Sequence, residues 1–179
     1  MANTQTGTPA GIQTSTTLSR RRRCAPPSPG DRELAAEQFE RRRFRMELNA
    51  KALEPARWQC PDVLLYVKTL PDQDPGALFR SLRNAAERWG WRVADEVHDD
   101  TGIVDPQHPD SRWRSVEARL RHAEADGVLA VHERHISMDP YWYRRALTRV
   151  AGSGRFTALL YPEDWRARSV REAITLESP

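Results

Sequence analysis

Short apolar runs alternate with stretches of helical composition from residue 63 onward. The runs cover 63–67, 91–97, 127–131 and 156–161, and their length and β-branched content are typical of strands. Between them, apolar residues recur three and four positions apart, which is the spacing of a helix face. Strands that alternate with helices favour a parallel sheet covered by helices. The pattern therefore predicts a three-layer α/β domain with a mainly parallel four-stranded sheet.

The first run, Val63 to Val67, has no charged residue and predicts a strand buried in the centre of the sheet. It follows Pro61 and Asp62, and it leads into a loop rich in Pro and Asp at 71–75. Open α/β sheets place their binding chemistry beyond the carboxyl ends of the strands. We therefore expect the function of this chain to be decided near the end of this strand.

Four helices are predicted after this strand, and each is expected to bury its apolar positions against the sheet. The first begins near Pro75 and stops at Gly90, the second opens at Asp110 and Ser111, the third begins at Pro140, and a short one ends near Ile174. The expected buried positions are Leu78, Leu82, Ala85, Ala86 and Trp89, then Trp113, Val116, Leu120 and Ala123, then Trp142, Ala146, Leu147 and Val150.

The chain is predicted to divide into a disordered basic arm at 1–30, a basic helix with its linker at 31–57, and the α/β domain at 58–179. The arm is rich in Thr, Ser, Gly and Pro and cannot bury enough apolar surface to order itself. Asp31 is the expected cap of an exposed helix over 31–53. Residues 20–57 carry 11 Lys and Arg against 6 Asp and Glu, whereas 58–179 carry 17 against 19. The basic character therefore precedes the domain.

Arginine clusters in this basic part are the candidate DNA contacts, because arginine side chains bind backbone phosphates and release counterions. The candidates are Arg20, Arg21, Arg22, Arg23, Arg41, Arg42, Arg43 and Arg45. The alternative is that such runs only keep the chain in solution. We expect the basic arm to bind double-stranded DNA. We expect helix 31–53 to form a homodimer or to bind a protein partner.

The composition of the chain excludes several other classes of protein. Two cysteines, Cys24 and Cys60, form neither a disulfide framework nor a zinc signature, and no apolar stretch approaches the length of a membrane span. No apolar segment follows the amino-terminal arginines as it would in a secretion signal. His132 and His135, with His98 nearby, lack the fixed ligand set of a metal site. We expect a cytoplasmic protein with no cofactor and no metal.

Several segments, in order, resemble the resolvase/invertase catalytic domain of the serine recombinases over roughly residues 62–176. The segment 64–75 is similar to that family's opening strand, where Tyr-x-Arg-x-Ser precedes a loop rich in Asp and Gln. The segment 86–102 resembles its helix, strand and Asp-x-x-x-Ser-Gly turn. The strand at 123–131 with Arg-His-Ile-Ser after it resembles the approach to an Asp-Arg-Leu-Ser-Arg loop, and 155–165 resembles the last strand.

The resemblance implies a serine hydroxyl that attacks a DNA phosphodiester while arginines neutralise the phosphate. This chain departs from that pattern at most of the positions concerned. Leu70 stands where the nucleophile is expected, Lys68 replaces the strand arginine, and Asp110 replaces the arginine at a helix start unless a two-residue shift brings in Arg112. In the later loop both arginines are missing in register and only Ser137 is retained.

Two residues offer a replacement nucleophile or cation. Thr69 lies one position before the expected nucleophile, and Arg134 lies one position from the first missing arginine. We expect a recombinase-like protein that has lost strand cleavage and associates with DNA. The alternatives are a protein-interaction module without a DNA role, and an active enzyme that uses Thr69 or Ser137 as nucleophile with Lys68 and Arg134 as cations.

Overall fold

The computed structural model describes residues 28–53 and 60–164. Residues 1–27, which make up most of the expected arm, and the expected last helix near Ile174 lie outside the described residues. In chain order the elements are α1 Pro29–Asn49, β1 Asp62–Lys68, α2 Gly76–Arg88, β2 Arg92–Asp99, α3 Arg112–Arg121, β3 Gly127–Ala130, α4 Glu133–Ile136, α5 Pro140–Gly152 and β4 Phe156–Leu159. No helix among these elements is long and apolar enough to cross a membrane.

The four strands form one sheet in the order β2-β1-β3-β4, and every neighbouring pair is parallel. This confirms the predicted α/β fold class. Val63 to Val67 in β1 are each 0% exposed, as expected for a central strand. β3 and β4 are also buried along their length, whereas most of β2 is exposed because it forms an edge of the sheet.

Alternate side chains of β1 enter two separate apolar cores, one on each face of the sheet. Leu64 and Tyr66 pack in the core that α3 and α5 cover. Val63, Leu65 and Val67 pack in the core that α2 covers. The layers are therefore helix, sheet and helix, with β1 in contact with both helical layers.

The predicted helix faces are correct at most positions and wrong at Trp89, Trp142 and Ala123; Ala123 is exposed because α3 ends at Arg121. Leu82, Ala85 and Ala86 of α2 are fully buried, as are Trp113 and Val116 of α3. Trp89, however, is 42% exposed, because it is the carboxyl-terminal cap of α2 and lies beyond the packed face.

In α5 the buried aromatic residue is Tyr143, not Trp142, which is half-buried. Asp139 caps this helix by accepting hydrogen bonds from Tyr141 N and Trp142 N. The helix therefore begins at Pro140, and its rotation turns Tyr143 toward Glu163 and the core. The polar loop that was expected before α5 contains one turn of helix, α4.

α1 begins two residues earlier and ends four residues earlier than predicted. Its cap is Ser28, not Asp31: Ser28 Oγ accepts from Asp31 N at 3.2 Å, and Ser28 N donates to the Asp31 carboxylate at 3.0 Å. This reciprocal capping box is favoured because Pro29 starts the helix at a position that needs no N–H donor. Pro29 and Gly30 therefore belong to the helix and not to a disordered arm.

The second half of α1 is docked on the domain, which corrects the expectation of an exposed helix along its whole length. Asn49 is 5% exposed, and its side chain bonds to both backbone groups of Thr157 in β4, with Nδ2 to O at 2.7 Å and N to Oδ1 at 3.0 Å. Phe44 and Leu48 pack against the core beside α5. The first half of α1, up to Glu40, is largely exposed.

Candidate functional site

The candidate site lies at the carboxyl end of β1, between the ends of β2 and β3. β1 is hydrogen-bonded to both of these strands, so Lys68 and Thr69 lie beside Asp99 of β2 and near the start of α4 after β3. The three strands are parallel, so their carboxyl ends meet at the same edge of the sheet. This is the edge of the sheet at which the sequence pattern predicts the functional site.

Leu70 projects into solvent at the end of β1, where the family resemblance expects a serine. Its side chain is 65% exposed. Its backbone N donates to Gln73 Oε1 at 3.3 Å, and its carbonyl accepts from Gln73 N at 3.3 Å. The position is thus an ordered turn with an exposed side chain, and that side chain carries no nucleophilic atom.

Thr69 has an imidazole within hydrogen-bonding distance. Its Oγ1 lies 2.8 Å from Nε2 of His98 in β2, and its backbone N donates to Asp99 O at 3.0 Å. A hydroxyl beside an imidazole nitrogen at this distance is the arrangement by which a base activates a weak nucleophile. Sequence reasoning considered His98 only as a metal ligand and missed this contact, because it depends on the pairing of β1 with β2.

Asp99 is a buried carboxylate directly beneath this edge. It is 0% exposed and accepts from Tyr66 Oη at 2.7 Å and from Thr101 Oγ1 at 2.6 Å. Burial, together with the Asp99 charge, raises the pKa of Tyr66 well above its usual range, so the phenol stays protonated and donates. These bonds fix the turn after β2. The sequence suggested Asp99 only as a metal ligand beside His98, and it gave no role in the site to Tyr66.

Lys68 is half-buried, and its ammonium group donates to the carbonyl of Ile103 in the loop after β2. Burial lowers the pKa of Lys68, although the nearby Asp99 charge acts in the opposite direction. The backbone N of Lys68 donates to Nδ1 of His135 at 3.0 Å. Burial, with the positive charges of His132 and Lys68, lowers the pKa of His135 to about 4, so its ring is a neutral acceptor at neutral pH.

The two remaining catalytic candidates, Ser137 and Arg134, differ in exposure. Ser137 is 4% exposed, and its Oγ accepts from Asp139 N at 3.2 Å, so the hydroxyl serves the turn before α5. Arg134 is exposed on α4. Arg112 is the first residue of α3, whereas Asp110 lies before its cap, Ser111.

Most of the candidate DNA-contact arginines in α1 are held in ion pairs with carboxylates of the domain. Arg41 lies 3.3 Å from Glu133, Arg42 lies 3.0 Å from Asp164, and Arg45 lies 2.9 Å from Glu163, where each distance joins a guanidinium N to a carboxylate O. Arg43 points outward and pairs with Glu40 at 3.0 Å and Glu47 at 3.4 Å. Their charge is therefore compensated before any phosphate approaches. Arg20, Arg21, Arg22 and Arg23 lie outside the described residues.

The pair of Arg45 and Glu163 is the buried centre of this contact. Tyr143 Oη donates to the same Glu163 carboxylate at 2.5 Å. Burial works to raise the pKa of Glu163, but the hydrogen bonds and charge of Arg45 outweigh it, so the pKa lies below its usual value. Arg41, Arg42 and Arg45 thus stabilise the docked helix through their ion pairs with the domain.

Among residues 28–53 and 60–164, no group of three or more His, Cys, Asp and Glu side chains is arranged to hold a metal ion. The groups that the structure brings to this edge are the hydroxyl, imidazole and ammonium groups described above. What the arrangement can do is present Thr69 to an electrophile with His98 as its base, or bind an anion weakly beside Lys68.

Two solved structures are similar to this chain in fold. One is the C-terminal catalytic domain of ISC1926 TnpA, an IS607-like serine recombinase, with 14% identity, 64% of this chain and 80% of that chain covered, and a TM-score of 0.46. The other is the N-terminal catalytic domain of TP901-1 integrase, with 16% identity and a TM-score of 0.49. That match covers 65% of this chain and 99% of the integrase domain. No protein-family model matches the chain, and no curated protein matches its sequence. The likeness is one of fold.

Proposed function

We propose that this chain is a serine-recombinase-like domain that associates with DNA and does not cut it. The observation that carries the proposal is Leu70, which occupies the expected nucleophile position as an exposed apolar side chain. The other hydroxyl expected from the sequence, that of Ser137, is buried and engaged with the backbone of Asp139. Removing a nucleophile leaves a site with little beyond its binding capacity.

The DNA part of the proposal rests on the basic arm. Arg20, Arg21, Arg22 and Arg23 are four consecutive cations in a segment without an acidic residue. Each arginine that meets a phosphate releases counterions, so binding becomes steeply salt-dependent. Arg41, Arg42 and Arg45 contribute little to this, because their charges are already paired within the domain.

The test is duplex DNA binding by fluorescence anisotropy over a salt series. The full chain is compared with a variant in which Arg20, Arg21, Arg22 and Arg23 are replaced by Ala. The matched control replaces four exposed arginines outside the arm, namely Arg32, Arg80, Arg83 and Arg88. The salt slope is the slope of the logarithm of the binding constant against the logarithm of the salt concentration. We expect this slope to become shallower by about 0.9 for each phosphate contact that the arm variant loses, and to stay close to that of the unmodified chain in the control.

Absence of binding by the unmodified chain at low salt would overturn the proposal. The chain would then be a protein-interaction module, and the exposed first half of α1 would be the surface to test against partners. Equal losses in the arm variant and the control would show that binding follows net charge and not the arm.

A second candidate function is strand cleavage with Thr69 as the nucleophile, and the 2.8 Å contact with His98 favours it. In this reaction Thr69 Oγ1 forms a bond to phosphorus as its proton passes to His98. The bond from phosphorus to a deoxyribose oxygen breaks, and that oxygen takes a proton as it leaves. The product is a phosphothreonine link between protein and DNA.

The measurement is a denaturing gel with supercoiled and nicked DNA, which retains only covalent protein–DNA adducts. An adduct that is absent in Thr69→Val and sharply reduced in His98→Gln would establish cleavage and end the proposal of a non-cutting domain. A Leu70→Ser variant serves as a matched control, because it restores the expected hydroxyl beside an unchanged Thr69.

A further inference from the structure

α5 presents a continuous basic face that the sequence analysis did not identify. Its exposed positions are spaced three and four residues apart and are Tyr141, Arg144, Arg145, Thr148 and Arg149. α5 contains three arginines and no acidic residue. We call Tyr141, Arg144 and Arg145 the α5 face.

The arginines of the α5 face lack the ion pairs that the arginines of α1 have. Among the residues that the structure describes, none of the ion pairs involves Arg144 or Arg145. Arg149, one turn further on, pairs with Glu117 at 2.9 Å. The positive charge at the start of α5 is therefore available to an anionic partner.

Aromatic rings hold these two guanidinium groups in place. Arg144 lies over the ring of Phe44 with its Cζ 5.3 Å from the ring centroid. Arg145 lies over Trp142 at 5.7 Å, and its Nη1 donates to Tyr141 Oη at 3.1 Å. Cations held on rings lose less freedom when they bind an anion. The face is thus pre-organised.

Tyr141 adds a flat apolar surface beside the charges. Its side chain is 60% exposed, and one edge is supported by Trp142, whose ring lies at 5.0 Å and 72°. An exposed aromatic ring next to arginines is the arrangement with which proteins stack an unpaired base while they hold the neighbouring phosphates. The exposed Arg134 lies on α4, which contacts both α5 and β1.

We propose that the α5 face is a DNA contact in which Arg144 and Arg145 hold backbone phosphates and Tyr141 stacks on an unpaired base. The inference rests on the proposed function, since it assigns a second surface to the same DNA association. It places part of the DNA at the edge of the sheet where β1 ends, because α5 begins at that edge. The substrate class is DNA with a single-stranded or opened segment.

The experiment uses the full chain with a duplex and a single strand of equal length, both labelled for anisotropy over a salt series. Arg144→Ala/Arg145→Ala is compared with Arg80→Ala/Arg88→Ala. This control removes from α2, on the other face of the sheet, two exposed arginines that form no ion pair within residues 28–53 and 60–164. We expect the α5 variant to lose about 1.8 in salt slope on duplex and about 1.4 on single strand. The α2 variant should lose almost none.

Variants of Tyr141 distinguish the contribution of base stacking from that of charge. Tyr141→Ala should weaken single-strand binding about 5- to 150-fold and leave the salt slope unchanged, while Tyr141→Phe should bind within about twofold of the unmodified chain. Arg144→Lys/Arg145→Lys should keep the salt slope, and thermal melting verifies that each variant is folded.

The outcomes separate the inference from the function on which it rests. If the unmodified chain binds neither DNA, the proposed function fails. If it binds and the α5 and α2 double variants bind alike, DNA association stands and the α5 face is overturned. If only duplex binding responds to the arginines and Tyr141→Ala has no effect, the stacking role of Tyr141 is wrong.

Discussion

Hydrogen bonds within the chain occupy most polar groups at the end of β1. Lys68 donates to Ile103, His135 accepts from the backbone of Lys68, and Asp99 accepts from Tyr66. A group that is already bonded must give up that bond before it can act on a substrate. The contact between Thr69 and His98 differs, because a hydroxyl and an imidazole can exchange a proton without leaving their places.

Because His135 accepts a backbone hydrogen bond, its protonation is coupled to stability. Its pKa is lowered from 6.5 to about 4 in the folded chain. The folded state therefore binds fewer protons than the unfolded state, and stability is lost as pH falls from about 6.5 toward 4. His135→Asn keeps an acceptor oxygen but cannot titrate, so its free energy of unfolding should fall less steeply than that of the unmodified chain in this window.

Urea unfolding at half-unit steps from pH 4 to 8 measures this difference. The rest of the chain is identical in both proteins, so the difference between the two pH profiles reports on His135 and on the charges of His132 and Lys68 that act on it. Parallel pH profiles would contradict a buried neutral His135.

At the scale of elements, α1 is the part whose role differs most from expectation. It was predicted as an exposed basic helix, yet its second half is attached to β4, α4 and α5. The attachment is polar as well as apolar. Breaking a buried ion pair such as Arg45 with Glu163 by removal of one partner costs about 3 to 5 kcal/mol, because the other charge stays buried.

Asn49→Ala tests this attachment with a single neutral substitution. It removes both hydrogen bonds to Thr157 and leaves a buried backbone N–H without a partner. We expect a loss of about 2 to 4 kcal/mol in the free energy of unfolding by urea. Asn84→Ala, on the exposed side of α2, is the control and should change stability by less than about 0.5 kcal/mol. If both substitutions lower the free energy of unfolding equally, the docking of α1 does not depend on Asn49.

Local patterns predicted the sheet and most helix faces, but contacts between distant segments could not be predicted in the same way. Val63 to Val67 have a composition typical of a buried strand, and the structure confirms this prediction. The arginine-rich composition of α1 is typical of a DNA-binding helix. The partners of its arginines, Glu133 and Glu163, lie far along the chain, and only the fold brings them together.

At the scale of the whole molecule, the strand order gives the sheet a protected centre and two unlike edges. β1 and β3 lie inside, β2 forms a largely exposed edge, and β4 forms an edge covered by α1. β1 and β3 contribute side chains to both apolar cores.

Hydrogen exchange should reproduce this order. Amides of Val63 to Val67 should exchange only through global unfolding, whereas amides on the outer side of β2 should exchange through local fluctuations many-fold faster. Amide exchange followed by NMR or mass spectrometry measures both sets in one sample. Protection of the Val93 amide equal to that of β1 would show that β2 has an additional covering partner.

The attachment of Asn49 to β4 also bears on how the chain avoids self-association during synthesis. A sheet edge with free backbone groups recruits strands from other molecules. The outer side of Thr157 is occupied by a carboxamide that takes the place of a neighbouring strand, and β2 carries the charged side chains of Arg92, Asp95 and Glu96 on the opposite edge. Because α1 precedes β4 in the chain, the segment that covers this edge is synthesised before the edge itself.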